Sequence, residues 1–241
     1  FYIVEEDGSV APIDSKEVDI ENLSQLAIKT NLYHDKDSMY FVKNHKLVKI
    51  KDAPKVDPYN LSTYNDKYIN KYDVVYYLDT DEGAFKKLEK AESHQFSAYG
   101  DTEYAKGRKN VYFKGKILAD ADYESFGMKY NHEKDVYEIK DKNKVYLFGL
   151  ELKDVKPEKF QVVKEPITEK IIYVRDENNL FVIFYDYFSG FNFVEPKKIE
   201  NVDFKTLKWK SARELEDKNG KYIVNGSVID EDKIGIEFIK K

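Results

Sequence analysis

Apolar and aromatic residues along this chain come in short alternating bursts, separated by polar stretches that contain Asp, Asn and Gly. Such bursts suit half-buried strands joined by tight turns. They recur at a near-constant spacing. Taking the central aromatic of each burst as an anchor gives Tyr40, Tyr76, Tyr112, Tyr146, Phe181 and Tyr222, at intervals of 36, 36, 34, 35 and 41 residues. A period in this range marks a repeat architecture, in which neighbouring units bury one another's apolar faces.

Further marks follow each anchor. A small or β-branched apolar residue precedes a polar one at Val56–Asp57, Ala91–Glu92, Ala121–Asp122, Val155–Lys156 and Val202–Asp203. Another apolar residue stands three positions before each pair: Ala53, Leu88, Leu118, Leu152 and Ile199. A large one stands four positions after the polar member: Leu61, Phe96, Phe126, Phe160 and Leu207. Val18–Asp19 and Leu23 extend the pattern backward, with Tyr2 as a possible anchor.

Each mark has a physical meaning. Asp and Asn ahead of the anchor bond their own backbone and favour turns. The anchor segments alternate β-branched and aromatic residues, as a strand does. Gly115 and Gly149 follow their anchors by three residues, and Gly226 by four, and predict a turn to a second short strand. Asp122 to Phe126 predicts a single helical turn with Asp as its N-cap, and Pro58 and Pro157 fit the start of such a turn. The predicted unit is a β-hairpin plus one helical turn. The fold class expected is mainly β with short helical turns, as tandem hairpin repeats of about 35 residues stacked in an elongated or spiral array.

The strings Lys109–Asn110–Val111–Tyr112–Phe113–Lys114–Gly115 and Asp141–Lys142–Asn143–Lys144–Val145–Tyr146, with Ile117 or Leu152, Asp122, and Phe126 or Phe160, resemble the DKNYY repeat family. The likeness is good over 104–163 and degenerate over 33–100 and 170–230. The copies beginning Asp35–Lys36 and Asp217–Lys218 keep the Asp-Lys start, and Lys71–Tyr72 does not. This resemblance implies a bacterial protein, of the envelope or secreted, and no catalytic residue.

Residues 1–30 are expected to form an N-terminal capping element: a strand at Tyr2–Ile3–Val4, a turn at Asp7–Gly8 and a short helix through Val18–Leu26. Residues 31–163 carry four units. Residues 164–241 carry a divergent unit after a break at Lys164–Glu165–Pro166, then a C-terminal capping element ending in a strand around Ile236. No linker rich in Pro, Gly or Ser divides them, so one continuous repeat domain is expected.

Composition narrows the function. Forty Lys and Arg against 45 Asp and Glu leave a net charge of -5, with the signs interleaved. A nucleic-acid partner would require a basic patch and is not expected. No run approaches the roughly 18 apolar residues of a spanning helix. The absence of Cys excludes disulfides and thiolate metal sites. The expected location is the bacterial envelope, as a periplasmic or surface lipoprotein, or outside the cell, with a leader not present in this chain. Twenty tyrosines point to a core that keeps hydroxyls at its wet edge.

Candidate chemistry is sparse. His34, His45, His94 and His132 share no metal-site spacing, and no metal or cofactor is expected. Asp79–Thr80–Asp81–Glu82–Gly83 matches part of a calcium loop, with Gly one place early and Lys90 where the final Glu belongs. It reads as a solvated acidic turn. No catalytic residue is assigned, although dispersed carboxylates of a carbohydrate hydrolase leave no local signature. The run from Phe181 to Phe193 reads as a strand buried on both faces, turning at Ser189–Gly190. Alternatively Tyr185, Tyr187, Phe188 and Phe191 form an exposed patch for a protein or polysaccharide. The function expected is a non-enzymatic binding or scaffold module, with the hydrolase, or a spacer for a further domain, as alternatives.

Overall fold

The computed structural model describes residues 2–4, 8–13, 18–27, 30–54, 61–100, 102–131, 136–147, 149–163, 171–186, 192–193, 195–226 and 235–241. The chain divides into two compact units, Phe1–Tyr123 and Glu124–Lys241. It is mainly β. Its helical content among the described residues is two 3-10 turns, Ile20–Asn22 and Ser93–Gln95, and single turns elsewhere.

Among the described residues six antiparallel sheets follow one another, three in each unit, after a small hairpin of Tyr2–Val4 and Val10–Pro12. The first sheet holds Ser24–Gln25, Leu32–His34, Met39–Lys43 and Lys46–Lys49 in chain order. The second holds Leu61–Thr63, Tyr68–Lys71, Val74–Asp79 and Ala84–Lys87, and the third Ser97–Ala98, Tyr104–Lys106, Val111–Phe113 and Lys116–Ile117. In the C-terminal unit the fourth holds Gly127–Asn131, Val136–Lys140, Val145–Leu147 and Leu150–Glu151. The fifth holds Gln161–Val163, Ile171–Arg175, Leu180–Asp186 and Asn192–Phe193, with Lys197–Lys198 also on the third strand. The sixth holds Lys208–Ser211, Glu214–Glu216, Gly220–Asn225 and Gly235–Lys240.

Each of the six anchors from Tyr40 to Tyr222 lies on the third strand of its sheet, whereas Tyr2 lies exposed on the two-stranded hairpin and is not an equivalent anchor. The hairpin predicted around each of the six is therefore only the second half of a four-stranded meander. The first half escapes sequence reading because strands such as Ser97–Ala98 and Tyr104–Lys106 are too short to display a period. The turn expected at Gly115 forms, and the residues that follow Gly226 lie outside the described ones. Lys114 and Gly115 both have positive φ (49° and 72°), as do Asn44 and His45 (50° and 57°), the geometry of a tight two-residue hairpin.

The exit from each sheet is equally regular. The N–H groups of Ile50, Leu88, Leu118, Leu152 and Ile199 donate to the carbonyls of Met39, Val75, Val111, Val145 and Leu180 at 2.8–2.9 Å. Two residues later the chain turns through left-handed Asp52, Lys90, Asp120, Asp154 and Asn201. A single helical turn follows in the last four copies, and buried Phe96, Phe126 and Phe160 close three of them. Asp203 caps its turn by accepting from the Thr206 N–H at 3.0 Å and hydroxyl at 2.9 Å. These bonds correct the first copy. Its equivalents of Leu88 and Ala91 are Ile50 and Ala53, three positions earlier than the expected Ala53 and Val56, and Val56–Asp57 and Pro58 lie outside the described residues. The helix expected through Val18–Leu26 is one 3-10 turn, tied by Asn22 N–H to Asp19 O at 3.1 Å and ended by the strand Ser24–Gln25.

Within each unit the two faces of a sheet have different neighbours. The residue before the anchor faces the next sheet, and the anchor faces the previous one. Met39 and Phe41 share a cluster with Ile69 and Leu78 of the second sheet, and Val75 and Tyr77 share one with Tyr112 of the third. Val145 and Leu147 meet Phe181 and Ile183 of the fifth sheet, whose other face sends Leu180, Val182 and Phe184 to Tyr222 and Val224 of the sixth. The central strand of the fifth sheet is thus buried on both faces, as its continuous apolar run predicts. Each such side chain contributes roughly 1.5–3 kcal/mol only when a second sheet covers it. Tyr76 departs from the rule by being half-buried, and in its sheet Tyr68 takes the fully buried place.

Candidate functional site

Four buried aspartates recur at one position. Asp35, Asp141, Asp176 and Asp217 each open the turn between second and third strands and are at most 6% exposed. A carboxylate so buried must be satisfied, and each is. One oxygen of Asp35 accepts the N–H groups of Asp37 and Ser38 at 2.9 and 2.8 Å; the other accepts the Tyr40 hydroxyl at 2.7 Å and the Asp19 N–H at 3.2 Å. Asp217 accepts from Asn219, Gly220, the Tyr222 hydroxyl and the Asp203 N–H at 2.7, 3.0, 3.1 and 2.6 Å. Asp141 takes Asn143, Lys144 and the Tyr146 hydroxyl at 2.7, 2.8 and 2.7 Å. At Asp176 the anchor is Phe181, which has no hydroxyl. Asn179 Nδ2 supplies a donor there at 3.2 Å, beside the N–H groups of Asn178, Asn179 and Lys156.

Electrostatics follow from these donors. Desolvation pushes the Asp35 carboxyl up, but the Tyr40 hydroxyl and three backbone N–H groups outweigh it and leave the pKa lowered. Asp176 is lowered against the same desolvation by Lys156, Asn178 and Asn179. Burial and the adjacent carboxylate raise the hydroxyls of Tyr40 and Tyr222 to about 12. Ion pairs reinforce four of the junctions. Lys36 meets Asp19 at 3.6 Å, Arg108 meets Glu92 at 3.4 Å, and Lys218 meets Asp203 at 2.6 Å. Where the preceding residue is Lys156, the partner is Glu177 at 2.7 Å, so the charges are exchanged and the pair is kept. In the third sheet Gly107 replaces the aspartate. A Cβ there would lie 3.1 Å from the Tyr112 ring, whose hydroxyl donates to Glu89 O at 2.9 Å instead.

These groups are absorbed by the fold. An open site lies beside the fifth turn, where a groove of about 330 Å³ is bordered by cations of Lys159, Arg175 and Lys205, carboxylates of Asp176 and Glu177, and the side chains of Gln161 and Phe204. Arg175 ends a second strand and lies 6.0 Å from the centroid of Phe204, which opens the next helical turn. Lys106 over Tyr123 at 4.3 Å and Lys140 donating to Pro157 O at 2.7 Å repeat this reach from strand end to helical turn. The Arg175 guanidinium also donates to Gln161 Oε1 at 3.4 Å. Among the described residues Lys159 and Lys205 form no ion pair, whereas Glu177 is held by Lys156 and Asp176 by its turn.

The DKNYY family profile matches residues 104–240, more than half of the chain. The chain belongs to the DKNYY family. No curated protein and no solved structure matches it. The DKNYY signature now has a structural meaning: Asp is the buried acceptor, Lys the ion-pair partner, Asn a turn donor, and Tyr the anchor that returns a hydroxyl to Asp. The turn at Asp35 lies before the matched residues and carries the same bonds.

The remaining sequence candidates do not converge. Tyr187, Phe188 and Phe191 lie outside the described residues, and of Tyr185 only the backbone is described, paired with Phe193. The turn at Ser189–Gly190 and the break at Lys164–Glu165–Pro166 also lie outside them. His34 contacts Ser24 Oγ at 3.1 Å, His94 lies 3.6 Å from Glu92, and His132 is outside the described residues. The acidic loop is an internally bonded turn. Asp79 accepts the N–H groups of Asp81 and Glu82, and Lys86 bridges Asp79 and Glu82 at 2.7 and 2.6 Å. Among the described residues no group of three His, Cys, Asp or Glu is placed to hold a metal, and no helix is long and apolar enough to cross a membrane. The groove was not legible in the sequence, since its residues come from three separated segments. The recurrence of a cation at the strand end, Lys106, Lys140 and Arg175, was the one available signal.

Proposed function

We propose that this DKNYY chain is a non-enzymatic binding or scaffold module of a bacterial envelope or secreted protein, its sheets stacked as an elongated repeat array. The observation that carries the reading is the use made of the buried acids and tyrosines. Asp35, Asp176 and Asp217 each accept four turn and inter-sheet hydrogen bonds, and Asp141 is bonded by its own turn and by Tyr146, so the carboxylates are taken up by the fold and not presented to a substrate. The shared clusters between successive sheets of each unit support the stacking, because a repeat unit buries its face only on a neighbour. The aromatic run of Tyr185, Tyr187, Phe188 and Phe191 is a proposed contact patch within the module.

Affinity capture from envelope extract tests the reading, with a Phe188→Ala/Phe191→Ala variant beside the wild type and polysaccharides incubated with both. A partner held by the wild type and lost by the folded variant is the expected result. Release of new reducing ends from any polysaccharide by the purified chain would overturn the non-enzymatic reading.

A further inference from the structure

Resting on the binding-module reading, we propose that the groove beside the fifth turn is a subsite for an acidic polysaccharide, taking a hexuronate unit. Three cations border it, and the carboxylates beside them already have partners of their own: Asp176 is filled by backbone donors and Glu177 is paired with Lys156. Lys159 and Lys205 form no ion pair among the described residues. The groove is therefore a positive locus on a chain of net charge -5, and it favours an anion. The planar guanidinium of Arg175 matches a carboxylate in fork geometry, which an ammonium does not.

Charge alone would admit any polyanion. Phe204 adds an apolar face suited to the C–H side of a sugar ring, and Gln161 and Glu177 add acceptors for its hydroxyls. A uronate offers a carboxylate, a flat apolar face and several hydroxyl donors within one unit. An acidic peptide offers a single backbone donor per residue to those acceptors. At about 330 Å³ the groove stands at the small end of ligand sites, which fits one or two units of a chain passing through.

The test is affinity electrophoresis and calorimetry of the whole chain with polygalacturonate, with polyglutamate and dextran as the other arms. Polygalacturonate is expected to bind, more weakly as salt rises, and dextran to leave the chain unretarded. Lys159→Glu/Lys205→Glu, both exposed positions, is expected to weaken binding about tenfold or more, and Arg175→Lys to weaken it while keeping the charge. Circular dichroism of each variant shows that the fold is kept. Equal affinity for polyglutamate would overturn the sugar assignment, as would full binding by the double variant or no binding by the wild type. A protein partner captured by a chain that ignores polygalacturonate overturns this inference alone. Depolymerisation of the polymer overturns the non-enzymatic reading beneath it.

Discussion

Replacing Asp217 with Ala removes one buried side chain and four hydrogen bonds. The Tyr222 hydroxyl keeps a partner, because it also donates to Asn201 O at 2.9 Å. The N–H groups of Asn219, Gly220 and Asp203 lose theirs. An orphaned buried donor costs about 1–3 kcal/mol, and the exposed Asn219 side of the turn admits water, so the low end applies. Asp217→Ala should therefore lose about 3 kcal/mol. Asp217→Asn keeps an oxygen for the two turn donors but turns an NH2 toward the Asp203 N–H, and should lose about half as much. Urea unfolding measures both. Trp209, the single tryptophan, packs on Tyr173 with centroids 4.6 Å apart and reports on the C-terminal unit. With a slope of about 2 kcal/mol/M the midpoint should fall by about 1.5 M for the alanine variant. A loss under about 1 kcal/mol, or an asparagine variant as damaged as the alanine one, would refute the four-donor account.

Other outcomes follow from the same geometry. Because the folded pKa values of Asp35 and Asp176 are lowered, their stabilisation is present above the ordinary carboxylate value and lost as pH falls through the lowered ones; the urea midpoint should drop below about pH 4. Tyr40 and Tyr222 are raised, so their contribution is complete below 10 and lost between 10 and about 12, visible as coincident loss of structure and rise of tyrosinate absorbance. Gly115→Ala should destabilise the N-terminal unit by about 2–4 kcal/mol in thermal unfolding, since φ is 72° and the new Cβ would sit 2.8 Å from Tyr77. Glu177→Lys should lower the unfolding midpoint at low salt by facing Lys156, and Lys156→Asp/Glu177→Lys should recover it; additive effects in the double-mutant cycle would show that the pair is not coupled.

The ion pairs at the sheet junctions bear on the outer surface as well. The side of the sixth sheet turned away from the shared core carries Lys210 on Glu216 at 3.0 Å, Lys221 on Glu214 at 2.8 Å and Lys241 on Glu216 at 2.7 Å. Its opposite side sends Leu215, Tyr222 and Val224 into the core. These charged pairs contrast with the fifth sheet, whose central strand is apolar on both faces.

The amino-acid sequence by itself determined the parts that are local. An Asp whose carboxylate reaches the N–H groups two and three residues on, an aromatic five residues on, a tight turn at Lys114–Gly115 and a single helical turn after Val202–Asp203 all depend on neighbours along the chain. Period and turn chemistry therefore revealed the anchor strands, the β class and the DKNYY resemblance. The tertiary structure decided what depends on contacts between segments. Two- and three-residue strands such as Ser97–Ala98 exist only because a partner pairs with them, so the four-stranded sheet did not appear in the pattern. The direction of Tyr112, Phe181 and Tyr222, toward the previous sheet of the same unit, and the place of Asn179 as stand-in for the hydroxyl missing at Phe181 are packing outcomes. The groove gathers Lys159, Arg175 and Lys205 from segments that only folding brings together, and no spacing in the chain records that convergence.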